Sequence, residues 1–316
     1  MATTMSKKPD FFIVGAAKAG TTALQKILAS LPAVYMSPIK EPNYFYNEVP
    51  ITALRKGLQE KLEKENATQW IKEGMNGELW NAFIRDENVY QQLFTKATKE
   101  QICGEASVSY LYSLKAAEKI FQYNPTAKII ILLRNPVDRA WSHFHMEQRM
   151  GLVPNHFLEA FNKYKNEEHP IWGKDPIFLS GGLYYEQVKR FLSIFPKEQV
   201  FICLYDEYKN HPENTIKKII TFLGIKEDTL VNGIKITKAN EARKSIIDGF
   251  LPSGKLKSTL RKWMQDLRIH HLLKKWLSKE NDRKLSEENR MLLKEFYQSD
   301  IEKLESLINL NLSNWK

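Results

Sequence analysis

Between Phe11 and Leu24 an apolar run, Phe11-Phe12-Ile13-Val14, leads into Gly15-Ala16-Ala17-Lys18-Ala19-Gly20-Thr21-Thr22 and then into a helix start. Two glycines bracket the loop, and Lys18 is the only cation inside it. Amides in such a turn and in the first helical turn have no intrahelical acceptor, so they favour an anion above the helix N-terminus. Gly15 and Gly20 suit positions where a Cβ would hold a phosphate off or block a positive φ. The spacing is that of a Walker A loop, but Thr21-Thr22 stand where Lys-Ser or Lys-Thr would be, and the lysine has moved inside. Ala17, Lys18, Ala19, Gly20, Thr21 and Thr22 are therefore candidate contacts for a phosphoryl or sulfuryl group. An ordinary strand-to-helix turn is the plain alternative.

A second segment could share that ligand. Ile129 to Leu133 is a continuous apolar run, suited to a parallel strand covered on both faces. Arg134 then emerges at the strand's carboxyl end, where open α/β sheets bind ligands. Asn135-Pro136 breaks the strand, and Val137 to Gln148 reads as a helix with Ser142 in its early turns. A guanidinium forks onto a phosphate and a serine hydroxyl adds one hydrogen bond. The rival class, a P-loop kinase or NTPase, needs an acidic strand end for Mg²⁺. Here the strong second strand ends in Arg134, leaving only Asp206, after the strand-like Val200 to Tyr205, as a candidate.

Together these segments resemble the sulfotransferases that use 3′-phosphoadenosine 5′-phosphosulfate (PAPS). The loop is similar to that family's 5′-phosphosulfate motif, and Lys128 to Ser142, with Arg, Pro and a Ser eight residues after the Arg, is similar to its 3′-phosphate motif. Lys40-Glu41-Pro42-Asn43-Tyr44-Phe45 resembles the family's K-E-P-H-F-F segment, which implies Glu41 as the base that activates the acceptor. Asn43 departs from the frequent His, and an amide takes no proton at neutral pH, so the base role falls to Glu41. Other family members use a His base, which makes His143 and His145, beside Ser142, rivals. Gly104-Glu105-Ala106-Ser107-Val108-Ser109-Tyr110 is similar to the G-E-x-S-x-x-Y strand and turn along the acceptor cleft, with Ala106 where some heparan-modifying relatives carry Lys. Tyr184 follows a glycine turn that borders the active site in the family; a core aromatic is the equal alternative. Lys238 to Ser245 lies where relatives place a basic loop over the nucleotide, which implies Arg243 and Lys244 as further contacts.

The resemblance covers about residues 10–224 closely and the remainder loosely. It implies one α/β domain over residues 1–316, with a mostly parallel central sheet flanked by helices and a P-loop-like nucleotide site. The implied reaction is direct in-line transfer of a sulfuryl group from PAPS to an acceptor hydroxyl or amine, leaving adenosine 3′,5′-bisphosphate, with no metal. Lys18 would answer the charge building on the departing phosphate, and Glu41 would take the acceptor's proton. A glycan or small metabolite is the expected acceptor. A catalytically silent PAPS-binding protein is the remaining alternative.

With 316 residues, 43% of them hydrophobic, the chain can bury a large core. No apolar stretch approaches the ~20 residues of a membrane span, and Met1 to Asp10 lacks a signal peptide's apolar core, so the expected location is cytoplasmic. Cys103 and Cys203 read as buried free thiols. The formal charge of +10 is concentrated in 255–284, where ten Lys and Arg face three Asp and Glu along a stripe of Leu and Trp. That segment is either packed helix with a solvated basic face or a basic lid over an anionic ligand. Motifs for specific nucleic-acid binding are lacking.

Overall fold

The computed structural model describes residues 7–76, 79–225 and 284–316. The chain divides into two compact units, Met1–Ile234 with Leu293–Lys316, and Lys235–Leu292. In the second, the described residues are 284–292, which include the first turns of the helix Glu287–Ile308.

Seven strands lie among the described residues: β1 (Phe11–Gly15), β2 (Val34–Met36), β3 (Ile39–Lys40), β4 (Leu79–Trp80), β5 (Ile102–Ala106), β6 (Lys128–Leu133) and β7 (Val200–Leu204). Five of them form a parallel sheet in the order β2-β5-β1-β6-β7, and β3 and β4 form a small parallel pair. Every residue of β1, and all of β6 after Lys128, is buried, which is why both read as unbroken apolar runs rather than alternating ones. The fold is α/β with a parallel central sheet flanked by helices, as the motif order implies.

The strand order sets where a ligand can sit. From β1 the chain crosses to β2 on one side, whereas from β6 it continues to β7 on the other. The connections therefore diverge at the carboxyl ends of β1 and β6, and a crevice opens there. Into it feed the loop before the helix Thr21–Ala29 and the start of the helix Pro136–Arg149. The second helix begins cleanly: Asn135 Oδ1 accepts the Val137 N–H at 3.0 Å and Pro136 fills the first helical position.

The helix expected over 137–148 is found at Pro136–Arg149, and further helices run over Tyr184–Ile194, Pro212–Leu223 and Glu287–Ile308. Pro212–Leu223 ends at Gly224 with φ 79°, a left-handed cap that glycine adopts at least cost. Leu293, Tyr297, Ile301 and Leu304 form the buried stripe of the last helix, and Trp315 docks the tail in the core. Cys103 and Cys203 are buried and free. Among the described residues, no helix is long and apolar enough to cross a membrane, and no cluster of His, Cys, Asp and Glu is placed to hold a metal.

Gly104 in β5 tests how tightly the sheet is packed. A Cβ there would lie 2.2 Å from Phe11 Cζ and 2.6 Å from Met36 Sδ. Gly104→Ala should therefore lower the denaturant midpoint by an amount worth about 1–3 kcal/mol through overpacking, with no change in the slope of unfolding.

Candidate active site

The loop after β1 is folded as its glycines require. Gly20 caps the helix Thr21–Ala29 with φ 90°, and a Cβ on it would press on the Tyr205 ring at 3.1 Å. Gly15 has no room for a side chain, since its Cβ would stand 2.6 Å from that of Leu111. Lys18, though not glycine, also has a left-handed φ of 70°. The Ala19 N–H closes a turn on the Ala16 carbonyl at 3.2 Å, so of the predicted contacts Ala19 has its amide committed inside the loop. The Gly20, Thr21 and Thr22 amides open the helix, where no earlier helical carbonyl can accept them.

Arg134 meets this loop directly. Its Nη1 donates to the Lys18 carbonyl at 3.1 Å, and its guanidinium lies over the Tyr205 ring, 5.0 Å from the centroid. The Lys18 ammonium reaches across to Met146 Sδ at 3.8 Å. Burial, followed by the charges of Arg149, Arg134 and Arg139, lowers its pKa from 10.5 to about 8. Ser142 stands half-buried in the second turn of the helix Pro136–Arg149. Tyr184 is a core aromatic that also contacts the site's frame, because its hydroxyl donates to the Arg134 carbonyl at 3.0 Å.

Glu41 follows β3 and is held in a turn with φ 64° at Glu41 and 50° at Asn43. Non-glycine residues in this region cost energy and persist only where surrounding bonds over-determine them. Here the Glu41 N–H donates to the Ala106 carbonyl at 2.9 Å, and Glu41 Oε2 accepts the Val108 N–H at 2.7 Å. The other carboxylate oxygen pairs with the ammonium of Lys40, itself buried. Asn43 is fully buried, and the two protons on its Nδ2 are shared among the Glu41 carbonyl at 2.8 Å, Asn81 Oδ1 at 3.0 Å and the Ala82 carbonyl at 2.8 Å. Where the family frequently has His, this chain carries a structural knot that fixes the turn bearing Glu41.

The rival bases are differently placed. His143 is buried with Nδ1 3.0 Å from Arg139 Nη1 and Nε2 3.4 Å from Glu147, and burial with the Arg139 and Lys18 charges pushes its pKa well below 6.5. Both ring nitrogens are thus engaged in the core. His145 packs edge-on to Trp141 and its Nδ1 lies 3.1 Å from Gln148 Oε1. Arg243, Lys244 and all of the basic segment 255–284 except Lys284 lie outside the described residues. Sequence reasoning missed the fully buried Arg139, which donates to the Phe178 carbonyl and steadies the turn before Tyr184. It also missed Asn81, which meets Asn43 from a segment with no motif of its own.

A sulfotransferase domain model matches residues 8–306. The chain belongs to the sulfotransferase domain family. A sulfotransferase from Alicyclobacillus acidocaldarius has a similar solved structure, with a TM-score of 0.65 and 29% identity over 98% of this chain and 99% of that one. Human carbohydrate sulfotransferase 15 is 25% identical over 256 residues, covering 69% of this chain and 44% of the relative. The human bifunctional heparan sulfate N-deacetylase/N-sulfotransferase 2 is 26% identical over 227 residues, 70% of this chain and 22% of the relative. The chain thus spans under half the length of these two curated relatives.

The sulfotransferase domain's Lys18 offers a direct test of the charge cluster. Below pH 8 the amine is charged and above it neutral, while the unfolded chain keeps that proton to 10.5, so this group adds stability as pH climbs from about 8 to 10.5. In ¹³C-methylated protein the Lys18 resonance should titrate near pH 8, well below the surface lysines, and Arg149→Gln should move that midpoint upward. A Lys18 midpoint at the surface value of about 10.4 would contradict the cluster.

Proposed function

We propose that this sulfotransferase domain moves a sulfuryl group from PAPS to a hydroxyl or amine of a glycan or small-metabolite acceptor, leaving adenosine 3′,5′-bisphosphate. The observation that carries the reading is the meeting of Arg134 with the Lys18 carbonyl at the mouth of the loop, which puts two cations beside a helix N-terminus. The charges of Arg149, Arg134 and Arg139 disfavour the Lys18 ammonium there, so an anion is the ligand that relieves it. The residues present therefore fit a nucleotide carrying several negative groups.

Bound PAPS would supply the transferable sulfuryl group and a phosphate leaving group. The amides of Ala17, Lys18, Gly20, Thr21 and Thr22, with the two threonine hydroxyls, would bind its 5′ side; Ala19 shapes the turn. Arg134 and Ser142 would hold the 3′-phosphate; Arg243 and Lys244, which the resemblance implies as further contacts, lie outside the described residues. The Lys18 ammonium would donate a hydrogen bond to the phosphate leaving group that bound PAPS supplies. Glu41 accepts the acceptor's proton: a carboxylate has lone pairs beyond those used by Lys40 and the Val108 N–H, and these two bonds fix its orientation.

The acceptor class rests on the relatives whose names specify carbohydrate and heparan sulfate. Hydroxyl and amine acceptors both suit a single carboxylate base. The test is transfer of ³⁵S from labelled PAPS to desulfated chondroitin and heparan oligosaccharides and to small alcohols. Glu41→Gln should reduce transfer by about 10²–10⁴-fold while calorimetric affinity for adenosine 3′,5′-bisphosphate stays near wild type. Lys18→Ala should lose more transfer than binding. Equal losses in both would make Lys18 an anchor only.

A further inference from the structure

Beneath the Glu41 turn lies a carboxyl group that the proposed reaction does not use. Glu105, in β5, is completely buried. Tyr90 donates its hydroxyl proton to Glu105 Oε2 at 2.6 Å, Tyr110 donates to the same oxygen at 3.0 Å, and Ser107 donates to Oε1 at 2.7 Å. Phe45 packs edge-on against both tyrosine rings and Tyr44 stacks on Tyr90 at 4.2 Å, so the pocket is lined with aromatic rings.

Two of those hydroxyls have a second task. Ser107 Oγ accepts the Asn43 N–H at 3.2 Å, and the Tyr110 oxygen accepts the Phe45 N–H at 3.3 Å. Each hydroxyl therefore faces a backbone donor on the turn and must send its own proton elsewhere. A hydroxyl has a single proton, and Tyr90, Tyr110 and Ser107 all send theirs to one acceptor-only group. An ionised carboxylate takes three donors at once. A neutral amide of the same size presents one oxygen and a donating NH₂, so at least one hydroxyl proton would lose its acceptor or reverse its direction.

We propose that Glu105 is a positioning residue for Glu41: its carboxylate sets the direction of the Ser107 and Tyr110 hydroxyls, and those hydroxyls hold the Asn43 and Phe45 amides of the turn that carries the base. The turn and the 105–110 segment then close like a zipper, through Glu41 N–H to Ala106, Val108 N–H to Glu41, Asn43 N–H to Ser107, Ser109 to Asn43, and Phe45 N–H to Tyr110. Burial raises the Glu105 carboxyl to about 7, against the hydroxyls of Ser107, Tyr90 and Tyr110, which favour its charged form. The neighbouring Glu41 charge adds to the rise.

The role in transfer rests on Glu41 being the base, whereas the hold on the turn does not, so the test has two arms. In Glu105→Gln, hydrogen–deuterium exchange at the Asn43 and Phe45 amides should quicken about tenfold while β1 and β6 amides keep wild-type protection. In the same variant kcat for the acceptor identified with labelled PAPS should fall about tenfold or more, with the affinity for adenosine 3′,5′-bisphosphate unchanged. Tyr110→Phe, which removes one relay and spares the carboxylate, should quicken exchange at Phe45 and serves if the first variant does not fold. Wild-type exchange across 41–46 in either folded variant overturns the proposal, as does a loss of nucleotide affinity equal to the loss of kcat. Altered exchange together with a wild-type enzyme that transfers no sulfate would instead sink the reading of Glu41 and leave the structural link standing.

Discussion

The pressure of three arginine charges on the Lys18 ammonium is the constraint around which the site is organised. Burial, followed by the charges of Arg149, Arg134 and Arg139, brings the Lys18 ammonium down to about 8. Arg134 and Arg139 are each tied to groups that offer electrons without a formal charge: Arg134 to the Lys18 carbonyl and the Tyr205 face, Arg139 to the Phe178 carbonyl and the His143 ring. Neutral partners hold both guanidinium groups in place, and the buried Glu147 carboxyl lies within electrostatic reach of Arg139. An anion bound beside Arg134 would meet a donor already oriented, with little reorganisation needed.

The second half of the site obeys a different logic. Glu41 is held by hydrogen-bond direction rather than by charge, through a turn whose φ values at Glu41 and Asn43 are costly and whose amides at Glu41, Asn43 and Phe45 are each assigned an acceptor. β3 and β4 contribute as well: the Asn81 N–H donates to the Lys40 carbonyl and the Ala82 N–H to the Glu41 carbonyl, so the small sheet continues into the turn. A flexible carboxylate on a loop would sample many orientations; this one is fixed from the strand side and from beneath.

What could be seen in the sequence depends on how local each signal is. Gly15, Lys18, Gly20 and Arg134 were legible because an apolar run fixes a strand, and the residues next along the chain must emerge at its carboxyl end. Glu41 stands out only through the resemblance of its segment, since no periodicity distinguishes it from a solvated acid before a proline. Asn43 reads as a lost histidine in the sequence and proves to be a buried joint, because its partners Asn81 and Ser109 come from segments far along the chain. Glu105 stands in a strand whose pattern says only that it is covered. Its neighbours Tyr90 and Tyr110 arrive from helices on opposite sides of it in the chain, and no spacing rule reports that meeting.

Asp300 links a remote part of the chain to the same centre. Its carboxylate accepts the Tyr184 N–H at 2.7 Å and the Tyr185 N–H at 3.1 Å, acting as a cap supplied in trans to the helix Tyr184–Ile194, whose own Leu183 offers none. Tyr184 in turn holds the carbonyl of Arg134. During synthesis, then, Arg134 gains its full support only after residue 300 has left the ribosome. A nascent chain carrying every motif from Phe11 to Gly224 would still present an unfinished pocket.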